Sequence, residues 1–198
     1  MSTTARRLIA VDAENLLGCE PELASAVCWE FAIAGLLHAV KFRKDTDHLV
    51  IGVGPDWAFT VATLAPSARL LVREGQNGAD LALCDALADT SFIAGRYSEV
   101  VIASGDHIFC ESVRALAAAG VPTTVAGLPT TTSSELTATA TRVMWLNRPG
   151  TVLGEAATVA VAPDEVELFA HDLAPAYPDP MSLLQHASLK HADLALAA

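Results

Sequence analysis

The sequence is short of positive charge. Its 198 residues include 12 Lys and Arg against 23 Asp and Glu, which gives a formal net charge of −11. A protein that binds nucleic acid only by neutralising phosphates is normally basic, so the composition excludes that mode of binding for the chain as a whole. A nucleic-acid partner would therefore require a local basic patch or bound metal ions.

Cysteine and long apolar runs are also scarce. The four cysteines form no C-x-x-C pair: Cys19, Cys28, Cys84 and Cys110. The first residues of the sequence lack the apolar segment and the cleavage site of a secretory signal. We therefore expect reduced, buried thiols in a cytoplasmic protein. The longest apolar run, residues 24–40, is interrupted by Glu30 and His38 and is shorter than the roughly 20 residues that cross a bilayer, so no membrane segment is predicted.

Two phosphate-binding signatures are missing. The turn Gly75-Gln76-Asn77-Gly78 lacks the Lys-Ser/Thr ending of a P-loop, and no G-x-G-x-x-G follows the first predicted strand. Nucleotide cofactors are therefore not indicated.

The composition changes near residue 150. Residues 1–150 carry 16 Asp and Glu and 11 Lys and Arg, whereas residues 151–198 carry 7 and 1 together with four prolines. With hydrophobic residues making up 52% of the chain, we predict one compact domain over residues 1–148 and an acidic, proline-containing extension over residues 149–198. The extension is expected to hold a strand at 158–161 and a weak helix at 181–196, or to be a partly disordered linker.

Short apolar runs of strand length alternate with helical patterns through residue 146. This alternation predicts an α/β fold, with a parallel sheet of about five strands flanked by helices. The predicted strands span residues 8–11, 48–53, 68–72, 98–103 and 121–126. The predicted helices span residues 21–40, 56–64, 80–89, 107–119 and 133–143, and residues 144–146 are a candidate short edge strand.

Acidic residues stand at the predicted strand ends. Asp12 closes the first strand, Asp106 follows the fourth, and Asp80 begins the helix after the Gly75–Gly78 turn. In an open parallel sheet the functional crevice lies at the carboxyl ends of the strands, so we expect these residues to converge. Converging carboxylates repel one another unless they are protonated or bridged by a hard cation such as Mg²⁺ or Mn²⁺. A divalent metal site is therefore predicted.

A structural alternative exists for two of these acids. Asp80 and Asp106 lie at helix starts, where Asp is favoured as an N-cap. Capping accounts neither for Asp12 at a strand end nor for three acids at crevice positions, so we prefer the metal hypothesis.

The chain carries five motifs in order. These are V-D-A-E-N at 11–15, G-A-D-L-A-L at 78–83, V-V-I-A-S-G-D-H-I-F at 100–109, G-V-P-T-T-V-A-G at 120–127 and S-S-E-L at 133–136. Over residues 7–146 the set resembles the NYN domain family of the PIN-like ribonuclease superfamily. The resemblance implies a Rossmann-like parallel sheet with an acidic, divalent-metal centre that hydrolyses RNA.

The resemblance also implies roles for individual residues. Asp12 and Asn15 match the family's D-x-x-N, Asp80 matches the acid that opens the central helix, and Ser104 and Asp106 match its S-G-D. Asp12, Asp80 and Asp106 are thus expected to hold Mg²⁺ or Mn²⁺. Asn15 and Ser104 are expected to orient an ion-bound water or a phosphate.

The sequence departs from the family at one position. Family members often read S-G-D-x-D-F, whereas this chain has Ile108 in place of the second acid. Asp85 is a candidate substitute ligand, although on an ideal helix it points about 140° away from Asp80. Three carboxylates can still hold one Mg²⁺ together with several waters.

Basic residues supply the candidate substrate contacts. The densest basic run is Lys41-Phe42-Arg43-Lys44, in which Lys41 and Arg43 are candidates for contacting RNA phosphates. Arg73 and Arg96 are expected nearer the active edge. A short basic run of this kind is more often a solvated loop.

The leading hypothesis is a cytoplasmic, metal-dependent endoribonuclease that binds RNA with low electrostatic affinity. Its extension would regulate the enzyme or recruit a protein partner. No membrane partner is expected. The sequence does not predict the oligomeric state, and a homodimer is one alternative. The alternative is a catalytically degenerate PIN-like module that acts through RNA or protein partners, because the acid at position 108 is missing. A phosphatase with Asp12 as nucleophile is disfavoured, since that chemistry usually needs a second Asp two residues later and position 14 is Glu.

Overall fold

The structure is a computed structural model that describes residues 5–146, 158–159 and 168–169. It contains a sheet in the order β3-β2-β1-β4-β5-β6-β7-β8, in which β1 to β6 are parallel and the two short strands β7 and β8 are antiparallel. The strands are β1 (Arg7–Asp12), β2 (His48–Val53), β3 (Arg69–Val72), β4 (Glu99–Ala103), β5 (Thr123–Gly127), β6 (Arg142–Trp145), β7 (Thr158–Val159) and β8 (Leu168–Phe169). The predicted α/β parallel sheet is confirmed, with six parallel strands rather than about five.

Helices cover both faces of this sheet. They are α1 (Ala26–Ala39), α2 (Ala58–Leu64), α3 (Gly78–Leu87), α4 (Thr90–Ala94), α5 (Cys110–Ala118) and α6 (Ser134–Thr139). Single 3₁₀ turns lie at Asn15–Leu17, Pro21–Leu23, Pro55–Trp57 and His107–Phe109. The structure therefore reproduces the predicted βα alternation, which produces a Rossmann-like fold.

Two helix predictions were wrong in detail, and one helix was missed. The helix predicted over 21–40 is divided, because the Ser25 hydroxyl accepts a hydrogen bond from the backbone N–H of Cys28 and caps a new helix. The helix predicted over 133–143 ends at Thr139, since Ala140 is extended and Arg142–Trp145 pairs with β5. Helix α4 was not predicted at all.

The strand order reverses between β1 and β4. From β1 the chain builds outward through β2 and β3, and then it crosses to the other side of β1 with β4 and continues to β6. Such a reversal leaves a crevice at the carboxyl ends of the two central strands, which is where ligands bind in sheets of this type. The end of β1 is Asp12 and the residue after β4 is Ser104, so the predicted site residues lie at this crevice.

Alternating residues of the central strands form two apolar cores, one on each face. In β1, Ile9 and Val11 face the core that contains Trp29, while Leu8 and Ala10 face the core that contains Phe109. This alternation is the two-residue period of a strand buried on both faces. The two cores hold the sheet rigid beneath the crevice.

The described thiols are all unpaired, but they are not all buried as predicted. Cys19 is exposed, and only Cys110 is fully buried. Among the described residues, no helix is long and apolar enough to cross a membrane. Of the strand predicted at 158–161, the two described residues form β7, whereas residues 160–161 and the predicted helix at 181–196 lie outside the described residues.

Candidate active site

Asp12 is held firmly at the carboxyl end of β1. Its side chain is 5% exposed, so its oxygens depend on protein donors. The backbone N–H of Asn15 donates to Oδ1 over 3.2 Å, and the Ser104 hydroxyl donates to Oδ2 over 2.9 Å. The orientation of the Asp12 carboxyl is therefore fixed by the loops that follow β1 and β4.

Asp80 is brought to Asp12 by the close packing of α3 on β2. Gly52 pairs in register with Asp12, and a Cβ atom on Gly52 would lie only 2.8 Å from the Ala79 carbonyl oxygen. The glycine thus lets the first turn of α3 approach the end of β1. Asp80 lies in that turn, is 9% exposed, and has a buried Oδ1 with no hydrogen-bond partner.

The two carboxyl groups interact and favour a proton or a cation. Burial raises the pKa of Asp80 to about 8, and the charges of Asp12, Asp106 and Glu14 add to the shift. Burial also raises the pKa of Asp12, against the opposing hydrogen bonds that it accepts. Within residues 5–146, no Lys or Arg side chain forms an ion pair with either aspartate. The pair is therefore a buried acidic centre without a positive partner.

Asp106 lies beside this pair and is more open to solvent. Its Oδ1 accepts hydrogen bonds from the backbone N–H of Ile108 over 2.9 Å and lies 3.1 Å from His107 Nδ1. Asp106 therefore has the capping role considered from the sequence. Its negative charge also contributes to the raised pKa of Asp80. In the described part of the chain, no three His, Cys, Asp or Glu side chains are arranged to hold an ion by themselves. The structure thus brings Asp12 and Asp80 together as an interacting pair, with Asp106 outside any group of three.

Glu14 is a fourth acid at the site, and sequence reasoning missed its role. Its Oε1 accepts a hydrogen bond from the backbone N–H of Gly54 over 2.8 Å, which ties the loop after β1 to the loop after β2. Its charge contributes to the raised pKa values of both Asp12 and Asp80. The available signal was its position two residues after Asp12 in the motif V-D-A-E-N.

Ser104 and Asn15 form hydrogen bonds that join the loops after β1 and β4, and the buried Ser104 has no surface for the predicted substrate contact. Ser104 is fully buried, and its hydroxyl oxygen also accepts a hydrogen bond from the backbone N–H of Asp106 over 3.1 Å, so a phosphate has no access to it. The side-chain oxygen of Asn15 accepts a hydrogen bond from the backbone N–H of Gly105 over 2.8 Å. Together they fix the loop after β4 against Asp12.

Asp85 is not brought to the acidic pair. Its side chain is 79% exposed and forms an ion pair with Arg73 over 3.1 Å. This placement corrects the hypothesis that Asp85 replaces the missing acid, and it follows from the helical angle that separates Asp85 from Asp80. Arg73 comes directly after β3, at the same edge of the sheet as the acids, and is half-exposed.

Lys41 and Arg43 lie at the opposite edge of the sheet. Arg7, the first residue of β1, donates a hydrogen bond to the carbonyl oxygen of Lys41, and Arg43 donates one to the carbonyl oxygen of Ala5. From Arg7 to Asp12 the strand is about 17 Å long, at roughly 3.3 Å per residue. The two residues predicted to bind substrate are thus separated from the acidic pair, and Arg96, which precedes β4, is at the same distant edge.

Comparisons with known proteins support the fold alone. No family model and no curated protein matches the sequence. Among solved structures, the chain is similar to the crystal structure of a protein of unknown function from Vibrio parahaemolyticus, with 17% sequence identity. The match covers 72% of this chain and 93% of that chain, with a TM-score of 0.50.

Proposed function

We propose that the chain is a metal-dependent endoribonuclease that hydrolyses RNA phosphodiester bonds at the Asp12–Asp80 site. The observation that carries this proposal is a buried carboxyl pair, without a positive partner among the described residues, at the strand-order reversal of a parallel sheet. The resemblance of residues 7–146 to the NYN domain family supports RNA as the substrate.

The residues at the site fit a magnesium or manganese ion. Mg²⁺ is commonly bound by one or two carboxylates and completes its coordination with waters and substrate phosphates. The free, buried Oδ1 of Asp80 is an unused oxygen ligand, and Asp12 is its interacting neighbour. When bound, such an ion lowers the pKa of a water and offsets charge on the leaving oxygen.

The remaining side chains have separate tasks in this proposal. Asp106 accepts a hydrogen bond at Oδ1 and is partly open to solvent, which leaves Oδ2 to take a proton from an attacking water. Ser104 and Asn15 keep the acids in position, and the half-exposed Arg73 binds a phosphate of the substrate. These tasks place the substrate across the carboxyl ends of β1, β3 and β4.

An RNA cleavage assay tests the proposal. The purified chain should cleave RNA with Mn²⁺, lose activity with a chelator, and lose it again in Asp80→Asn. Glu30→Gln is the control, because it neutralises an exposed acid of α1 that has no part in the proposed site. Metal-dependent cleavage that survives both Asp12→Asn and Asp80→Asn would overturn the proposal.

The second candidate is a module of the same fold that binds without catalysis. Ile108 favours it, because this side chain packs against the core that contains Phe109 and supplies no ligand at the position of the family's second acid. Calorimetry separates the two candidates. Absence of Mn²⁺ binding up to millimolar concentration, with RNA or protein binding intact, would favour the module.

A further inference from the structure

Positive charge is concentrated at the amino ends of the strands. Of the ten Lys and Arg residues between 5 and 146, eight precede or begin a strand: Arg6, Arg7, Lys41, Arg43, Lys44, Arg69, Arg96 and Arg142. Within residues 5–146, four acids lie at the same edge: Asp45, Asp47, Asp89 and Glu99. These residues therefore give the amino-end edge a local excess of four positive charges, in a chain whose net charge is −11.

Most of this charge is available to a ligand. Arg7 and Arg43 pair with Asp47, and Arg142 pairs with Glu99. The other five cations are exposed and form no ion pair with another described residue: Arg6, Lys41, Lys44, Arg69 and Arg96. They lie at the amino ends of four adjacent strands, β3, β2, β1 and β4. Neighbouring strands are about 4.8 Å apart, so these four strands span a width of about 14 Å.

An aromatic surface lies within the same edge. The Phe92 ring is 55% exposed, and the Arg96 guanidinium lies 5.5 Å from its centroid. Exposed aromatic rings beside cations are the surfaces on which single-stranded bases stack, because every base presents a flat π-face.

His48 lies within reach of two of these cations. Its Nδ1 lies 2.7 Å from the Tyr97 hydroxyl. Burial lowers the pKa of His48, and the charges of Arg6 and Arg96 lower it further. Arg6 and Arg96 are therefore both close enough to His48 to affect its pKa.

We propose that the amino-end edge, formed by Arg6, Lys41, Lys44, Arg69, Arg96 and the Phe92 ring, is a binding surface for single-stranded RNA, separate from the acidic site. The acidic pair is about 17 Å away along β1, which is about twice the Debye length of about 8 Å at physiological salt. Its negative charge is therefore largely screened from the cations. This binding is independent of an ion at Asp12 and Asp80.

Fluorescence anisotropy of a labelled single-stranded RNA, measured with EDTA present, tests this inference without catalysis. Five phosphate contacts predict a salt slope of about −3.5, or about 100-fold weaker binding at 200 mM than at 50 mM salt. The variant Arg6→Gln, Arg69→Gln, Arg96→Gln should bind at least about tenfold more weakly at low salt and reduce the slope by about 2. Phe92→Ala should weaken binding by about fivefold or more.

A control of equal charge makes the test specific. Arg114→Gln, Ala115→Glu and Ala138→Glu also change the net charge by −3, but on exposed positions of α5 and α6. This control should keep binding within about twofold. The proposal is overturned if the control and the triple variant lose binding equally, if the triple variant binds as well as the parent chain, or if the chain binds phosphatidylserine vesicles but not RNA. Thermal melting of each variant confirms that it is folded.

Discussion

Two buried aspartates at opposite ends of the sheet have pKa values that move in opposite directions. Near the amino ends, burial favours the neutral form of Asp47, but hydrogen bonds from Arg7 and Arg43 outweigh it and hold the pKa well below its usual range. At the carboxyl ends, burial and neighbouring acids raise the pKa of Asp80 to about 8. The fold therefore neutralises a buried acid where it supplies cations, and among residues 5–146 it supplies none that pairs with Asp80.

The same contrast extends to the two edges of the sheet. The amino-end edge carries eight of the ten described cations, whereas the crevice edge carries Asp12, Glu14, Asp80 and Asp106. A net charge of −11 excludes a uniformly basic protein, but it hides this separation. The acidic end is suited to a cation, and the basic end is suited to a polyanion.

The largest expected effect is on cleavage at the acidic end. Asp80→Asn should reduce Mn²⁺-dependent RNA cleavage by on the order of 10³-fold, because it removes a charged ligand from the site. Asp47→Asn, assayed at a temperature where the variant is folded, should stay within a few-fold of the parent chain. Equal losses in the two variants would remove the distinction between the two ends.

The next effect is on the pH dependence of stability. The folded-state pKa of Asp80 is raised from 3.8 to about 8, so the folded state binds more protons than the unfolded state between these values. The free energy of unfolding should therefore fall as pH rises through this window, by at most about 1.4 kcal/mol per pH unit. Urea titrations in EDTA measure this slope.

The variant Asp80→Asn and added Mg²⁺ are the two controls for the pH dependence of stability. Asp80→Asn should flatten the slope, and Mg²⁺ should restore stability at pH 8 in the parent chain. Stability that rises from pH 5 to pH 8 in EDTA, with no response to Mg²⁺, would contradict the electrostatic account of the acidic pair.

A smaller effect is expected at the amino end. Asp47→Asn should lower the free energy of unfolding by about 2 kcal/mol at neutral pH, because it removes a charged acceptor from Arg7 and Arg43. The pKa of Asp47 is lowered on folding, so its stabilisation is present above pH 4 and is lost on acidification. Chemical denaturation at pH 7 and pH 3 should show a difference between parent and variant at both pH values, and a smaller one at pH 3, because the stabilisation is lost progressively as the pH falls towards the folded-state pKa.

The smallest effect concerns a positioning residue. Ser104→Ala removes the hydrogen bond to Asp12 Oδ2 and should cost about 1 kcal/mol of stability and about tenfold in cleavage. Ser104→Thr keeps the hydroxyl and should recover part of the cleavage if its added methyl group is accommodated. A full loss in Ser104→Ala with no loss of stability would instead indicate a direct role in the reaction.

Local pattern predicted the strands and the edge at which the acids lie. Short apolar runs locate β1 and β4, and the rule for parallel sheets places Asp12, Asp80 and Asp106 at one crevice. Pattern did not reveal the cap at Ser25, because hydrophobic periodicity does not report the extended backbone at Ala24 and Ser25 that precedes the capped helix.

The features that sequence reasoning missed depend on contacts between distant segments. The burial of Ser104 and the contact of Glu14 with Gly54 join loops that are far apart in the chain. The prediction that Lys41 and Arg43 bind substrate beside the acids was wrong, and the order of predicted elements could have shown this. A helix that follows β1 returns the chain to the amino ends of the strands, so a basic run just before β2 belongs to the edge away from Asp12.

Calorimetric titration of Mn²⁺ into the full chain near pH 7, repeated in two buffers of different ionisation enthalpy, tests the central claim most directly. We expect one ion to bind with release of up to one proton, because Asp80, whose pKa is raised to about 8, must lose its proton to bind the ion. Asp85→Asn should keep both the binding and the proton release, and Asp80→Asn should lose both. Binding that is unchanged in Asp80→Asn, or no binding to the parent chain, would contradict the claim.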